Sequence, residues 1–305
     1  MSVARTQEVA IPAGGYALPA PRSRWRSGLR LARRYPLGTI ALLLLLLVCT
    51  AAIFADQIAP YSPTSTQGPR LAGPSAEHLL GTDRIGRDIF TRILYGARVS
   101  LLIGFLAVGI GTLAGSAIGI ITGFVGGWLD LGVQRLMDIS MSFPALLLAL
   151  VLVTSFGPGV ANAMIAIAIV LIPTSARVMR GVALQLKSRA FVEAANASGA
   201  GGARLLVRHI LPNAVDEMLI LASVALAAAV IIEAALSFLG LGAQPPTPSW
   251  GQMLAEGRAS YLRAPHMIWV PSLAISLTVL AVTMLGDTLR DIFDPKVRGG
   301  RGVHF

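Results

Sequence analysis

The nineteen residues from Leu37 to Ala55 carry no charge, and no other feature constrains this chain so tightly. An apolar run of about 19 residues crosses a hydrocarbon core of roughly 30 Å as a helix. Further apolar runs follow at 99–127, 139–156, 160–176, 216–240 and 267–286. The sequence is 54% hydrophobic and only 13% charged, so a bilayer is the expected solvent. The reading is an all-α integral membrane protein with six transmembrane helices. A cleaved signal peptide fits the first run poorly, because it is long, Leu-rich and lacks small residues at both cleavage-defining positions before Asp56. A lipoprotein leader fits no better, since Val48 precedes Cys49 where a small residue is wanted.

The net charge is +10, but its placement argues for membrane orientation and against nucleic acid. Most of the basic residues sit in the tails and one loop, with few aromatics beside them. Arg22, Arg24, Arg26, Arg30, Arg33 and Arg34 precede the first span, and only Asp56 stands just after it. Positive residues stay inside, so residues 1–36 form a cytoplasmic tail, with Met1 to Pro21 disordered by composition. Residues 56–98 are then extracytoplasmic, and 99–287 form the remaining five-helix core. Trp128, Asp130, Arg135 and Asp138 read as a short inside loop, and Gly157, Pro158 and Gly159 as an outside turn. The loop at 177–215 carries Arg177, Arg180, Lys187, Arg189, Arg204 and Arg208 against Glu193 alone, which places it inside. Lys296, Arg298 and Arg301 keep the tail at 288–305 inside. The expectation is a multi-pass plasma (inner) membrane protein with both termini cytoplasmic.

Within the loop at 177–215, Glu193 to Asn213 is polar and basic, and Gly199 breaks it. Ala194, Ala195, Ala197 and Ser198 before the glycine are small, so a partner can approach closely. After it, Leu205, Leu206 and Ile210 share one side of a second helical piece, and Arg204 and Arg208 the other. Pro212 closes the stretch, and Asn213 is placed to cap the fifth helix. The expected device is a helix, a glycine turn and a second helix, held outside the bilayer as a docking lever.

Three further features stand out. In 56–98, Asp83 with Arg87 and Arg84 with Asp88 are four apart and can pair on a helix, and Ile89, Phe90, Ile93 and Leu94 make an apolar stripe. A short interfacial amphipathic helix is expected there. Gly111, Gly115, Gly119, Gly123 and Gly127 recur every four residues, a helix-packing ridge that serves contact within this chain or a seam with another subunit. Glu233 lies deep in the fifth span, where an ionisable group is costly without a polar cavity or partner. It is a candidate translocation-path residue or a structural carboxylate bonded to neighbours such as Ser237. Ser237 to Gly251 is rich in proline and glycine and reads as irregular.

Chemistry is sparse. Four scattered histidines and one cysteine offer no metal-ligand spacing, and no catalytic constellation stands out in the spans. A phosphate loop needs Gly-Lys-Ser/Thr, but the two lysines, Lys187 and Lys296, follow Leu186 and Pro295. Neither lysine can serve, so the sequence offers no phosphate loop of its own.

Glu193-Ala194-Ala195, three residues, Gly199, then a hydrophobic residue with Leu211-Pro212 resembles the EAA loop of ATP-binding-cassette importer permeases. His209 stands at the first Ile position of that signature, with Ile210 next. Leu80-Gly81-Thr82-Asp83, two residues, Gly86-Arg87-Asp88, then Arg92 and Gly96-Ala97-Arg98, resembles the C-type permeases of dipeptide and oligopeptide importers. So does the Ser237–Gly251 stretch. The resemblance runs from about Arg30 to Lys296. It implies a type I ABC importer permease fold, with Glu193 to Gly199 seated in a cleft of a cytosolic ATPase. It also implies a second, related permease, two ATPase subunits carrying ATP and Mg, and an extracytoplasmic solute-binding protein. Substrates in the subfamily include dipeptides, longer peptides, glutathione and nickel chelates. The rival function is a secondary transporter driven by an ion gradient, which calls for several intramembrane carboxylates or broken helices. Only Glu233 qualifies. A membrane-embedded enzyme lacks a catalytic constellation.

Overall fold

A computed structural model describes residues 33–293. The chain divides into two units, Met1–Pro36 and Leu37–Phe305, and apart from Pro36, the first residue of the first helix, all that follows concerns the second. The arginines before Arg33, the expected disordered tail, and Lys296, Arg298 and Arg301 lie outside the described residues.

Among the described residues the fold is helical, with one isolated bridge between Thr82 and Asp88. Helix α1 spans Pro36–Ile53 and a short α2 spans Ala55–Ile58. Then come α3, Ile89–Val125, α4, Gly127–Met141, α5, Ala145–Phe156, and α6, Val160–Lys187. After α7, Ala190–Ala197, and α8, Gly202–Leu205, a π turn over Leu206–Ile210 leads into α9, Leu211–Phe238. Helix α10 spans Trp250–Gly257 and α11 spans His266–Phe293. Five helical stretches are long and apolar enough to cross a membrane, and six if the bent pair α4–α5 counts as one.

Several boundaries differ from expectation for physical reasons. The interfacial helix within 56–98 does not form. Residues 78–88 are turns, and Asp88 caps α3 by accepting from the Thr91 amide at 2.8 Å. The apolar stripe from Ile89 is simply the first turns of a 37-residue helix. Trp128 to Asp138 is no loop either, but the body of α4. The expected third span breaks before Pro144, where α4 and α5 meet at 92°. The twelve residues of α5 cover only about 18 Å. Helix α6 continues eleven residues past Ala176 because its basic end is satisfied within this chain. Pro212 does not close the polar stretch. It has no amide to give, and it falls in the first turn of α9 straight after the π turn, so the helix runs on from Gly202. Asn213 is therefore interior; its side-chain amide donates to the His209 carbonyl at 2.6 Å. The stretch expected to be irregular, Ser237 to Gly251, is so only over 239–249: Ser237 and Phe238 finish α9, and Ser249 caps α10 by accepting from the Gln252 amide.

The core is built largely of small side chains. Ala107 of α3, Ala149 of α5, Ala163 and Ala166 of α6 and Ala229 of α9 are fully buried, and this is how helices approach closely in lipid. Large apolar side chains, Leu37, Leu43 and Leu47 of α1 among them, point outward, as a lipid-facing surface permits. Arg98 ties α1 to α3 by donating to the Ala52 and Ile53 carbonyls at 3.0 Å each and to Asp56 at 3.0 Å. Donation from Tyr95, then from Arg98, holds the Asp56 carboxyl below its ordinary range.

Candidate functional site

The two ends of the bundle differ. One carries the loops at 59–88 and 239–265, and the other carries the elbow formed by α7, its glycine turn and α8.

The elbow is built from local rules. Helix α7 buries only Val192. Glu193, Ala194, Ala197, Ser198 and Gly199 are exposed and Ala195 is half-buried, so the small-residue surface faces outward. Gly199, at φ +84°, ends the helix. Its amide reaches the Asn196 carbonyl at 2.9 Å, and the Ala200 amide reaches Ala195 at 3.1 Å. These are the two bonds of a Schellman cap. The base is firm. Ile210 is fully buried with Met179, Ala183 and Ala214, while Leu211 and Pro212 are exposed. The apolar anchor is thus Ile210. Lys187 donates to the Phe124 carbonyl at 2.8 Å and lies 5.4 Å from the centre of its ring, which joins the end of α6 to the end of α3.

At the opposite end the structure gathers Gly81, Thr82, Asp83, Gly86, Arg87 and Asp88 into one knot. Asp83 accepts from the Ile85 amide at 3.0 Å, the Arg87 amide at 2.9 Å and the Arg87 Nε at 2.5 Å. The Asp83–Arg87 pair therefore exists, but across a turn rather than along a helix. Arg84 is exposed, and Asp88 pairs instead with His78 at 2.9 Å. Glu256, on α10, joins the knot by accepting from Arg87 at 2.7 Å and Arg92 at 3.0 Å. Thr82 is buried, accepts from the Ala72 amide at 3.0 Å and donates to the Pro69 carbonyl.

Glu233 is buried in α9, and Ser237 donates to it at 2.8 Å. The Ser100 and Ser249 hydroxyls face the same carboxyl. These serines in turn accept from the amides that open α10, Trp250 to Ser100 at 3.4 Å and Gln252 to Ser249 at 3.3 Å. The carboxyl thus sits beneath the start of α10. Glu233→Gln, which keeps the shape, is expected to lower uptake while the assembled complex persists. Unchanged uptake with a lower melting temperature would assign the carboxyl to packing alone.

The glycine ridge faces this chain's own α6. Gly111, Gly115, Gly119 and Gly123 lie against the backbone at Ala168, Ile172, Ala176 and Arg180.

Two ion pairs escaped the sequence reading. Asp130 binds Arg180 and Asp138 binds Arg177. A signal was present: Asp130 and Asp138 are the only acids between Asp88 and Glu193, and the arginines stand three apart.

Comparison with known proteins agrees with this architecture. The family described as "Binding-protein-dependent transport system inner membrane component" matches residues 115–299, and "N-terminal TM domain of oligopeptide transport permease C" matches residues 23–74. A glutathione transport system permease protein of Escherichia coli O157:H7 is 45% identical over 91% of this chain and 92% of its own length. A dipeptide transport system permease protein of Alkalihalophilus pseudofirmus is 42% identical over 90% of this chain and 91% of its own. An inward-facing structure of the MetNI methionine ABC transporter superposes with a TM-score of 0.55 at 18% identity. It covers 65% of this chain and 95% of that chain, a likeness of fold alone.

Proposed function

The chain belongs to the binding-protein-dependent transport system inner membrane components, and on that premise we propose that it forms half of the translocation path of an ATP-driven importer of short peptides. The observation that carries the coupling is the elbow. Its outward face is small-residued, rigidly capped and mounted on a buried base, as a part that must be gripped and pushed requires. Glu193, Ala194, Ala195 and Gly199 form the gripped surface, and Leu211 and Pro212 lie exposed at the start of the following helix. ATP and Mg²⁺ would bind two partner ATPase subunits on the elbow side, which is then the cytoplasmic side, with both termini there.

A second permease would complete the path, and a solute-binding protein would deliver cargo at the opposite face. Relatives named for glutathione and for dipeptide transport share one cargo chemistry, a short peptide with charged ends, and this supports the same class here. Family membership favours this reading over an ion-gradient-driven transporter. Among the described residues, only Glu233 is a carboxylate deep in a span that offers itself to gradient coupling.

Gly199→Pro and Glu193→Lys test the proposal. Proline holds φ near −65° and cannot adopt +84°, and it removes the amide that bonds Asn196. Lysine reverses the one charge on the gripped face. Both variants are expected to reach the membrane and assemble. Uptake should fall more than about tenfold, the effect of roughly 1.4 kcal/mol on a rate, while ATP hydrolysis continues uncoupled. Normal uptake in both would refute the assignment of the elbow.

A further inference from the structure

Helix α4 is held to this chain by charge rather than by apolar packing. Of its 15 residues only Asp130 is buried. Trp128 is 89% exposed, and Leu129, Leu131, Leu136 and Ile139 each expose more than half their surface. An amphipathic helix ordinarily seats itself by burying an apolar stripe, and α4 does not do so here. Instead both Asp130 oxygens accept from Arg180, through Nε and Nη2, at 2.6 Å each. This is the two-pronged geometry in which arginine and carboxylate bind most strongly. Asp138 accepts from Arg177, with Arg135 3.8 Å away.

The spacing matters. The two carboxylates are eight residues apart on α4, about 12 Å at the rise of a helix. The two arginines are three residues apart on α6, within one turn. A single turn of α6 thus grips α4 along much of its length. Both ends of α4 are bends. Gly126 and Gly127 lie at φ +73° and +65°, and after Met141 the chain turns through 92° into α5. A stiff segment between two bends, held by one neighbour, follows that neighbour. Helix α6 ends at Lys187, immediately before the elbow.

We propose that Asp130–Arg180 and Asp138–Arg177 are the drive linkage of this permease. Displacement of the elbow is passed along α6 and through the two ion pairs, and α4 swings about its two bends. The inference rests on the coupling reading above. The four residues are positioning residues, each acting through its ion-pair partner. The outer pair is half-exposed, with Arg177 at 48% and Asp138 at 46%, and such pairs add little to stability. Loss of the linkage should therefore show in movement rather than in folding.

The test uses the complete importer in lipid nanodiscs, with Cys49→Ala and nitroxide labels read by pulsed electron resonance. One pair joins Leu136→Cys on α4 to Leu280→Cys on α11, and the other joins Val178→Cys on α6 to Leu280→Cys. Nucleotide is expected to shift both distances in the native background. In Asp130→Asn with Asp138→Asn, the α6 shift should persist and the α4 shift vanish. ATP hydrolysis should continue while uptake falls about tenfold, an ordinary coupling magnitude. Exchanging the charges, Asp130→Arg with Arg180→Asp, should restore the α4 shift. An undiminished α4 shift in the doubly neutralised variant overturns the linkage. Absence of any α6 shift in the native background overturns the coupling reading itself.

Discussion

Gly119→Leu is expected to yield no assembled protein. Helices α3 and α6 run side by side in the same direction, and four glycines on α3 meet four successive turns of α6 backbone. A methyl placed on Gly111 would stand 2.6 Å from the Ala168 carbonyl oxygen, and on Gly123 2.9 Å from that of Arg180. On Gly119 it would run into the Ala176 carbonyl, with the Arg180 amide 2.9 Å away. These obstacles are backbone, so no rotamer change clears them and the helices must part. Forcing extra carbons into a packed core ordinarily costs about 1–3 kcal/mol, and more where nothing can yield. Parting the helices also forfeits the close contact of the neighbouring turns, on which association in lipid depends. Gly109 lies on the same helix with nothing within 4 Å of an added Cβ. Gly109→Leu should shift stability by no more than about 0.5 kcal/mol. The measurement is the yield of monodisperse protein and its thermal unfolding. If the two variants behave alike, the seam is not what joins α3 to α6.

Asp83→Ala should detach the loop at 69–88 from the bundle. Asp83 neutralises and positions two guanidiniums, Arg87 at 2.5 Å and Arg92 at 3.4 Å. Arg92 has 1% of its side chain exposed. With Asp83 gone, two buried cations share Glu256 alone. Removing one partner from such a group typically costs about 3–5 kcal/mol, because the charge left behind is stranded away from water. Two backbone amides, of Ile85 and Arg87, lose their acceptor as well. Trypsin cleavage at the exposed Arg70 and Arg84 should accelerate sharply, with faster amide exchange across the loop. The neighbouring Arg84→Ala removes an exposed side chain and should shift stability by no more than about 0.5 kcal/mol. Equal protection of the loop in the native protein and in Asp83→Ala would show that the knot does not hold it.

Much of the elbow was legible beforehand because local rules make it. A glycine after a run of small residues ends a helix, and Gly199 does so through a Schellman cap that needs only its own neighbours. What followed was not legible. Pro212 and Asn213 look like a helix boundary, yet the π turn at Leu206–Ile210 carries the helix through them, since Ile210 is drawn into the cluster with Met179 and Ala183. Likewise Asp83 and Arg87 stand at helical spacing, but the bridge between Thr82 and Asp88 holds them across a turn.

The sequence alone determined that the chain crosses a membrane several times as helices, because long uncharged runs have no other stable place. It also determined where the polar elbow breaks, because a glycine after a run of small residues ends a helix by local rules alone. Only the tertiary structure decided what the glycine ridge faces, where the third span breaks, and which acids meet which arginines. Asp130 and Arg180 are 50 residues apart and Arg92 and Glu256 are 164 apart. Charge pairing at such separation is set by how helices pack, and packing is a property of the whole bundle rather than of any stretch within it.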